Sequence, residues 1–381
     1  MRTLYFDYNA TTPLDPEVRA AMMSFGEQVW GNPSSVHHVG RRARALLDGL
    51  RERAAGVLGC RPGEVTFTSG GTEANNLAVL GAARRLRERG RHLITSAVEH
   101  HAVLHAFRHL EQREGFCVTV LPVDRAGRVD PAAVRGAVRP DTVLVSVMAA
   151  NNEVGTLQPV AEIGALCRTL GVVFHTDAAQ WFGKEAFTDV HQFNADLVSL
   201  CAHKFHGPKG AGALFVRSPL LLEPLLLGGG QEQERRAGTE NLAAIAGLVT
   251  AMERFLKPPV FSQDRLAVLR ATVRAALARV EGVTVLAEGA PTLCNTLAFV
   301  VEGTDSFALL AGLDVEGVCA SAGAACSAGS LEPSHVVAAM GYGPRLARSL
   351  VRLSTGRENT EEEIACLCAL LPRVIARAKG G

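Results

Sequence analysis

A lysine, an aspartate and a pair of glycines stand where short apolar runs end. The run VVFHTD (172–177) closes on Asp177, with Gln180 three residues on. The run ADLVSLCA (195–202) leads into His203 and Lys204, and EVTFTS (64–69) leads into Gly70, Gly71 and Thr72. A carboxylate ending an apolar strand is costly unless something cationic meets it. A lysine at such a strand end has its pKa depressed by desolvation, the state required of an amine that forms Schiff bases. Two glycines and a threonine opening a helix let backbone N–H groups approach an anion, and phosphate suits them. Each signal has a plain alternative: a Ser/Thr before Glu is a common helix cap, and Asp with Lys can be a structural ion pair. Together they fit one ligand, pyridoxal 5'-phosphate. The lysine holds its aldehyde, the aspartate its pyridinium nitrogen and the helix start its phosphate.

Two histidines and a cysteine extend the set. His100, in VEHHAVL, follows the run HLITSA and is placed to stack on a ring and move protons; His203 is placed to bond the phosphate. A zinc site using His100 and His101 is weak, because adjacent residues cannot share one helix face. No metal site is expected. The stretch CASAGAACSAGS (319–330) has no side chain larger than a thiol. It is either a close-packed turn or a mobile loop that delivers Cys326. Cys319 reads as a strand-end, structural thiol.

These residues need strands to position them. Seven apolar runs, at 64–69, 92–97, 117–123, 142–149, 172–177, 195–202 and 212–217, alternate with helix-period segments such as 73–89 and 160–170. That is the pattern of an α/β fold with a mostly parallel seven-stranded sheet flanked by helices, whose ligands gather beyond the carboxyl ends of the strands. Long helical stretches follow over 242–280, interrupted by KPP, then a shorter α+β region with strands near 283–286 and 294–301 and a C-terminal helix. The expected division is a large domain over 15–250 and a small one built from 1–14 and 251–381, carrying the cysteine loop at about 321–332.

With 381 residues, 48% of them hydrophobic, the chain can bury a core large enough for two domains. Its 39 basic and 38 acidic residues leave no electrostatic footprint for nucleic acid. The start MRTLYFDYNATTP lacks the pattern of a signal peptide, and no apolar run is long enough to span a bilayer. Nine irregularly spaced cysteines argue against a disulfide framework and for a reducing cytoplasm. Cys60, Cys117, Cys167 and Cys294 read as inert core, and Cys366 and Cys368 point to different faces of one helix.

Beyond these residues, a series of longer motifs runs in order along the chain: DYNATTP (7–13), GNPSSVH (31–37), TSGGTEANN (68–76), VEHHAVL (98–104), NNEVGTLQP (151–159), HTDAAQ (175–180), AHKFHGPKG (202–210), GGGQEQERRAGTEN (228–241) and SAGAACSAGSLEPSH (321–335). The chain resembles the cysteine desulfurases of the NifS/IscS type, from about residue 4 to residue 365. The resemblance implies the type I fold of pyridoxal-phosphate enzymes and a homodimer. It implies removal of sulfur from L-cysteine to give L-alanine and a persulfide on Cys326, passed to a sulfur-acceptor or iron–sulfur scaffold protein, with a cluster bound through Cys326 during transfer. Roles carry over to matching positions: Lys204 for the aldehyde, Asp177 for the ring nitrogen, Gln180 and Asn152 for the ring's 3-hydroxyl, and His100 for stacking. Gly71, Thr72 and His203 would hold the phosphate, with Thr239 supplied by the second subunit. Arg352 would clamp the substrate carboxylate with help from Asn32; taken alone, Arg352 reads as a surface arginine near a C-terminal helix.

The chain departs from the family in three places. Cys201 stands where serine usually bonds the phosphate, and a thiol is a weaker donor. Gln233 stands where arginine is common. The ending ARAKGG is short for docking a scaffold protein. The nearest alternatives are a selenocysteine lyase or an aminotransferase on the same fold, the second having no need of Cys326. A non-catalytic scaffold protein should lack one of Lys204, His100 or Cys326, and the chain has all three.

Overall fold

The computed structural model describes residues 3–323 and 332–380. Cys326 therefore lies outside the described residues. The first strand, β1 (Leu4–Tyr5), precedes two helices, α1 (Pro16–Gln28) and α2 (His38–Leu58). Then come β2 (Val65–Thr68), α3 (Gly71–Leu86), β3 (His92–Ser96), α4 (His101–Glu114) and β4 (Cys117–Leu121). Next are α5 (Pro131–Ala137), β5 (Thr142–Ser146), α6 (Val160–Leu170), β6 (Val173–Asp177), β7 (Leu197–Cys201) and β8 (Gly212–Val216). The remainder holds α7 (Leu242–Phe255), α8 (Gln263–Leu277), β9 (Val283–Val285), β10 (Thr296–Val301) and α9 (Ser306–Val315). It closes with β11 (Val318–Cys319), α10 (His335–Ala339), α11 (Pro344–Ala347), β12 (Val351–Ser354) and α12 (Glu361–Gly380).

All seven expected strands enter one sheet, in the order β2-β8-β7-β6-β5-β3-β4. Only β8 runs against its neighbours; the other pairings are parallel. Strands β2, β3, β5, β7 and β8 are buried along their whole length. Burial on both faces is why they read as continuous apolar runs rather than as alternating ones. The edge strand β4 differs: Cys117 is exposed, with Arg139 Nη1 at 3.5 Å from its sulfur, so it is not the core thiol its apolar neighbours suggested. The six parallel strands deliver their carboxyl ends to one side of the sheet, which fixes where polar side chains can converge.

A second sheet, β12-β10-β9, is antiparallel. Its core gathers Phe299, Leu353 and Val351 with Leu266 and Leu269 of α8 and Leu367, Leu371 and Val374 of α12. The N-terminal segment joins the two cores. Leu4 and Tyr5 pair in parallel with Val318 and Cys319, and the Asn9 amide donates to Ser354 Oγ at 2.9 Å. Thr12 N then donates to His203 O at 2.9 Å and Asp15 N to His206 O at 3.1 Å. Residues 7–10 are thereby held between Arg352 on the small sheet and Lys204 on the large one. Among the described residues no helix is long and apolar enough to cross a membrane.

Candidate active site

A cavity of about 200 Å³ lies beyond the carboxyl ends of β2, β3, β5, β6 and β7. Gly71, Thr72, His100, Asn152, Asp177, Gln180, Cys201, His203, Lys204 and Arg352 all line it. At one end, Gly70 turns the chain from β2 into α3 with φ 153°, a conformation that needs glycine. No side chain caps the start of α3. The Gly71 N–H reaches the Cys201 thiol, and no capping side chain takes the N–H groups that follow, which are the kind a ligand can use. A Cβ added at Gly71 would stand 3.5 Å from Cys201 Sγ, so the thiol packs directly under this turn. Burial pushes the Cys201 thiol up to about 11, which keeps it a neutral, weak donor. Burial, with help from Lys204, pushes His203 down to about 3 and keeps its ring neutral; its Nδ1 lies 3.2 Å from Thr11 Oγ1.

Lys204 sits on a short 3₁₀ turn just past β7. Its Nζ donates to the carbonyls of Asn9 and Ala10 at 2.6 and 2.7 Å. Burial lowers its pKa, and the charge of Arg352 adds to the effect. No ion pair joins it to Asp177, which removes the structural-pair reading of these two residues. Asp177 Oδ2 accepts from Asn75 Nδ2 at 2.6 Å and Oδ1 from the Ala179 amide at 2.9 Å. Both donors are neutral, and each oxygen keeps a lone pair free. Beneath it, His175 bridges Ser146 and Ser199 across β5, β6 and β7, and burial holds that histidine near 4, hence neutral.

His100 caps α4, its Nδ1 accepting from the Ala102 amide at 3.1 Å. Burial lowers its pKa, so the ring is neutral, and the cap bond leaves the ring proton on Nε2. As placed, His100 presents a donor; proton uptake requires the cap bond to open. Beside it, Glu99 is fully buried and pushed up to about 8 by burial, with Oε1 accepting from Ser96 Oγ at 2.6 Å and the Met148 amide at 2.9 Å.

The opposite wall is built from the second sheet. Arg352 is on β12 and only 1% exposed, so it is not the surface arginine of a C-terminal helix. Its Nη1 donates to Asn152 O at 2.8 Å and Gly323 O at 2.7 Å, and its Nη2 to Asp7 Oδ1 at 2.6 Å. Two positions are not brought to the cavity: Asn32 is exposed and spends its Oδ1 on the Ser34 amide, and Thr239 is exposed. Cys326 is outside the described residues.

Sequence reasoning passed over Asn9, Asn75 and Lys184. Asn9 is the hub of this wall: its carbonyl accepts from Gln180 Nε2 at 3.0 Å as well as from Lys204. Lys184 is fully buried, bonded to Asn9 Oδ1 at 2.7 Å and to Gln180 Oε1, with its Nζ 5.3 Å from the centre of the Phe261 ring. Burial drives its pKa well below the ordinary value, and Lys204 and Arg352 push the same way. A lysine has only donors, so Gln180 must turn its oxygen to Lys184 and its NH₂ toward Asn9 O and the cavity. The signal for Lys184 was a lysine in DAAQWFGK, at the end of an otherwise uncharged stretch after Asp177, although Glu185 beside it reads as an ordinary partner.

These residues fit pyridoxal phosphate. The cavity keeps a buried acceptor without a partner, Asn75 Oδ1, beside Asp177, and a buried donor without one, Arg352 Nε, on the far wall. A helix start without a capping side chain, a desolvated amine and a carboxylate complete the set. Buried polar groups are normally satisfied, so unspent ones on residues that line a cavity suit a polar ligand.

Residues 4–367 match the family described as Aminotransferase class-V, and the chain belongs to it. Within that family it stands with the NifS/IscS-like cysteine desulfurases. It is 42% identical to the cysteine desulfurase IscS of Dictyoglomus turgidum over 99% of this chain and 96% of that one. A solved NifS-like protein superposes with a TM-score of 0.90 at 35% identity, covering 99% of this chain and 100% of the other. A structure of SspA in complex with cysteine matches with a TM-score of 0.82 at 35% identity, covering 94% and 100%.

Proposed function

We propose that the cavity binds pyridoxal 5'-phosphate and removes sulfur from L-cysteine, leaving L-alanine and a persulfide on Cys326. The observation that carries this reading is the convergence on one cavity of the desolvated Lys204, the Asp177 carboxylate and the helix start at Gly71 and Thr72. Gly71, Thr72, His203 and Cys201 hold the phosphate, Asp177 the ring nitrogen, and Gln180 and Asn152 the 3-hydroxyl. Bound there, the cofactor supplies an aldehyde for the substrate amine and an electron sink for the bonds around its Cα.

The protein's own groups do the rest. Arg352 takes the substrate carboxylate, its Nε and Nη2 forming a two-point grip. Lys204, with its pKa lowered, removes the Cα proton and returns one, and Asp177 keeps the ring nitrogen protonated. His100 stacks on the ring and handles the substrate thiol proton, opening its cap bond to accept it. Cys326, as thiolate, attacks the substrate Sγ. An S–S bond forms, the C–S bond breaks, and its electron pair with a proton becomes a C–H bond of alanine, so cysteine and a thiol give alanine and a persulfide.

The resemblance supports further assignments. The chain works as a homodimer in the cytoplasm, with Thr239 of the partner subunit completing the phosphate site; its exposure in its own chain fits that role. Asn32 assists at the substrate carboxylate, and the persulfide serves iron–sulfur cluster assembly or other sulfur trafficking. The two cores support a division into 15–250 and 1–14 with 251–381. The test is Cys326→Ala in cofactor-loaded protein: the visible absorbance stays and sulfide release from cysteine is lost. Continued turnover in that variant rejects the role of Cys326.

A further inference from the structure

The guanidinium of Arg352 is held on two edges that differ in kind. Nη1 is fixed by main chain, on Asn152 O and Gly323 O. Gly323 is packed where only glycine fits: its φ is +93°, and a Cβ there would stand 2.6 Å from Glu153 Oε2. The other edge, Nε with Nη2, is the pair that grips a carboxylate side-on. Here it is half used. Nη2 donates to Asp7 Oδ1 at 2.6 Å, while the buried Nε has no partner. An internal carboxylate thus sits on one prong and leaves the second without a partner, on a residue that lines the cavity.

We propose that Asp7 is a tethered stand-in for the substrate carboxylate. It neutralises Arg352 in the empty site and leaves Nη2 when a ligand carboxylate takes Nε and Nη2 together. This rests on the reading of Arg352 as the substrate clamp. Burial explains the need: the arginine side chain is 2% exposed, and a buried guanidinium without a counter-charge is strongly unfavourable. Burial also explains the exchange. The Asp7 side chain is 19% exposed, so it can be hydrated once displaced, whereas Arg352 cannot. Its main chain stays in place through the bridge to Ser354. The ion pair is therefore one the substrate must compete for, and it weakens apparent affinity by the fraction of time it occupies the prong, on the order of 3- to 10-fold.

The opposite reading, that Asp7 merely orients Arg352, predicts the reverse sign. The experiment is Asp7→Asn in cofactor-loaded enzyme, with L-alanine titrated through the visible spectrum and KM for L-cysteine measured. The alanine dissociation constant and KM should fall by about 3- to 10-fold, with the change on KM rather than kcat. The unliganded melting temperature should drop, and alanine should raise it by more than it raises that of the parent. Unchanged or weaker alanine binding overturns the proposal. Asp7→Ala provides a second variant with acetate as the probe: acetate should compete with cysteine at a lower inhibition constant than in the parent, and an equal or higher constant counts against the stand-in. Arg352→Met separates the two readings. If it leaves KM for cysteine unaltered, the clamp itself fails; if it raises KM while Asp7→Asn lowers nothing, only the stand-in fails.

Discussion

The floor of the cavity and its far wall are built on different principles. On the floor, at the sheet's carboxyl ends, each polar group is fixed by neutral partners: Asp177 by Asn75 and the Ala179 amide, His100 by the Ala102 amide, Lys204 by two carbonyls. On the wall, a charge is held by a charge, Arg352 by Asp7. Neutral partners hold a group without cancelling its charge or reactivity, which suits a cofactor that stays. A charged partner can be exchanged for another of the same sign, which suits a substrate that comes and goes. The segment 7–10 touches both, with Asp7 on the arginine and the Asn9 and Ala10 carbonyls on the lysine.

If the floor is the chemical half, Lys204→Ala should have the largest effect. The protein should fail to develop the cofactor's visible band, and turnover should fall by at least about 1000-fold. An unchanged spectrum would contradict the cofactor assignment. On the wall, Arg352→Lys keeps the charge and loses the two-point grip, so KM for cysteine should rise about 10- to 100-fold, with a smaller change in kcat; steady-state kinetics decides it.

Lys184 tests whether the junction between floor and wall is tuned for function at a cost in stability. Lys184→Met removes a buried amine that has only neutral oxygens and a ring for company. The melting temperature should hold or rise, while the cofactor dissociation constant rises about 3- to 10-fold as Gln180 loses its orientation. A fall in both stability and affinity would make Lys184 a plain structural residue.

Glu99 tests burial beneath the floor. Its folded carboxyl titrates near 8 against about 4.3 in an unfolded chain, so the native state keeps a proton that the unfolded state releases. The contribution is fully present below about 4.3 and is lost as pH rises toward 8. Glu99→Gln lacks that loss, and its melting temperature relative to the parent should climb between about pH 5 and 8. A constant difference across that range would refute the raised value. The smallest effect is expected from Cys201→Ser: equal or up to about threefold tighter cofactor retention, as a better donor replaces a neutral thiol. Weaker retention would show that the thiol is required.

The floor was far more legible in the sequence than the wall. Apolar runs closing on Asp177, Lys204 and Gly70–Thr72 announce strand ends, because a parallel sheet buried on both faces leaves its polar residues nowhere else to go. Arg352 carried no such mark. It lies mid-strand in the small sheet, between Val351 and Leu353, and its burial follows from long-range contacts to Asp7, Asn152 and Gly323 that no local pattern encodes. Asn9 and Lys184 were hidden for the same reason: their partners are 143 to 345 and 175 residues distant in the chain, respectively, apart from Gln180 one helical turn away. Cys117 shows the converse error, since its apolar neighbours suggested core while an edge strand leaves it exposed.

The most direct test of the central claim adds L-cysteine to purified, cofactor-loaded protein, quantifies L-alanine, and weighs the peptide carrying Cys326. Alanine in step with cysteine consumed, together with one extra sulfur on Cys326, is the predicted result. Keto acid in place of alanine, or alanine formed while Cys326 stays unmodified, would contradict it.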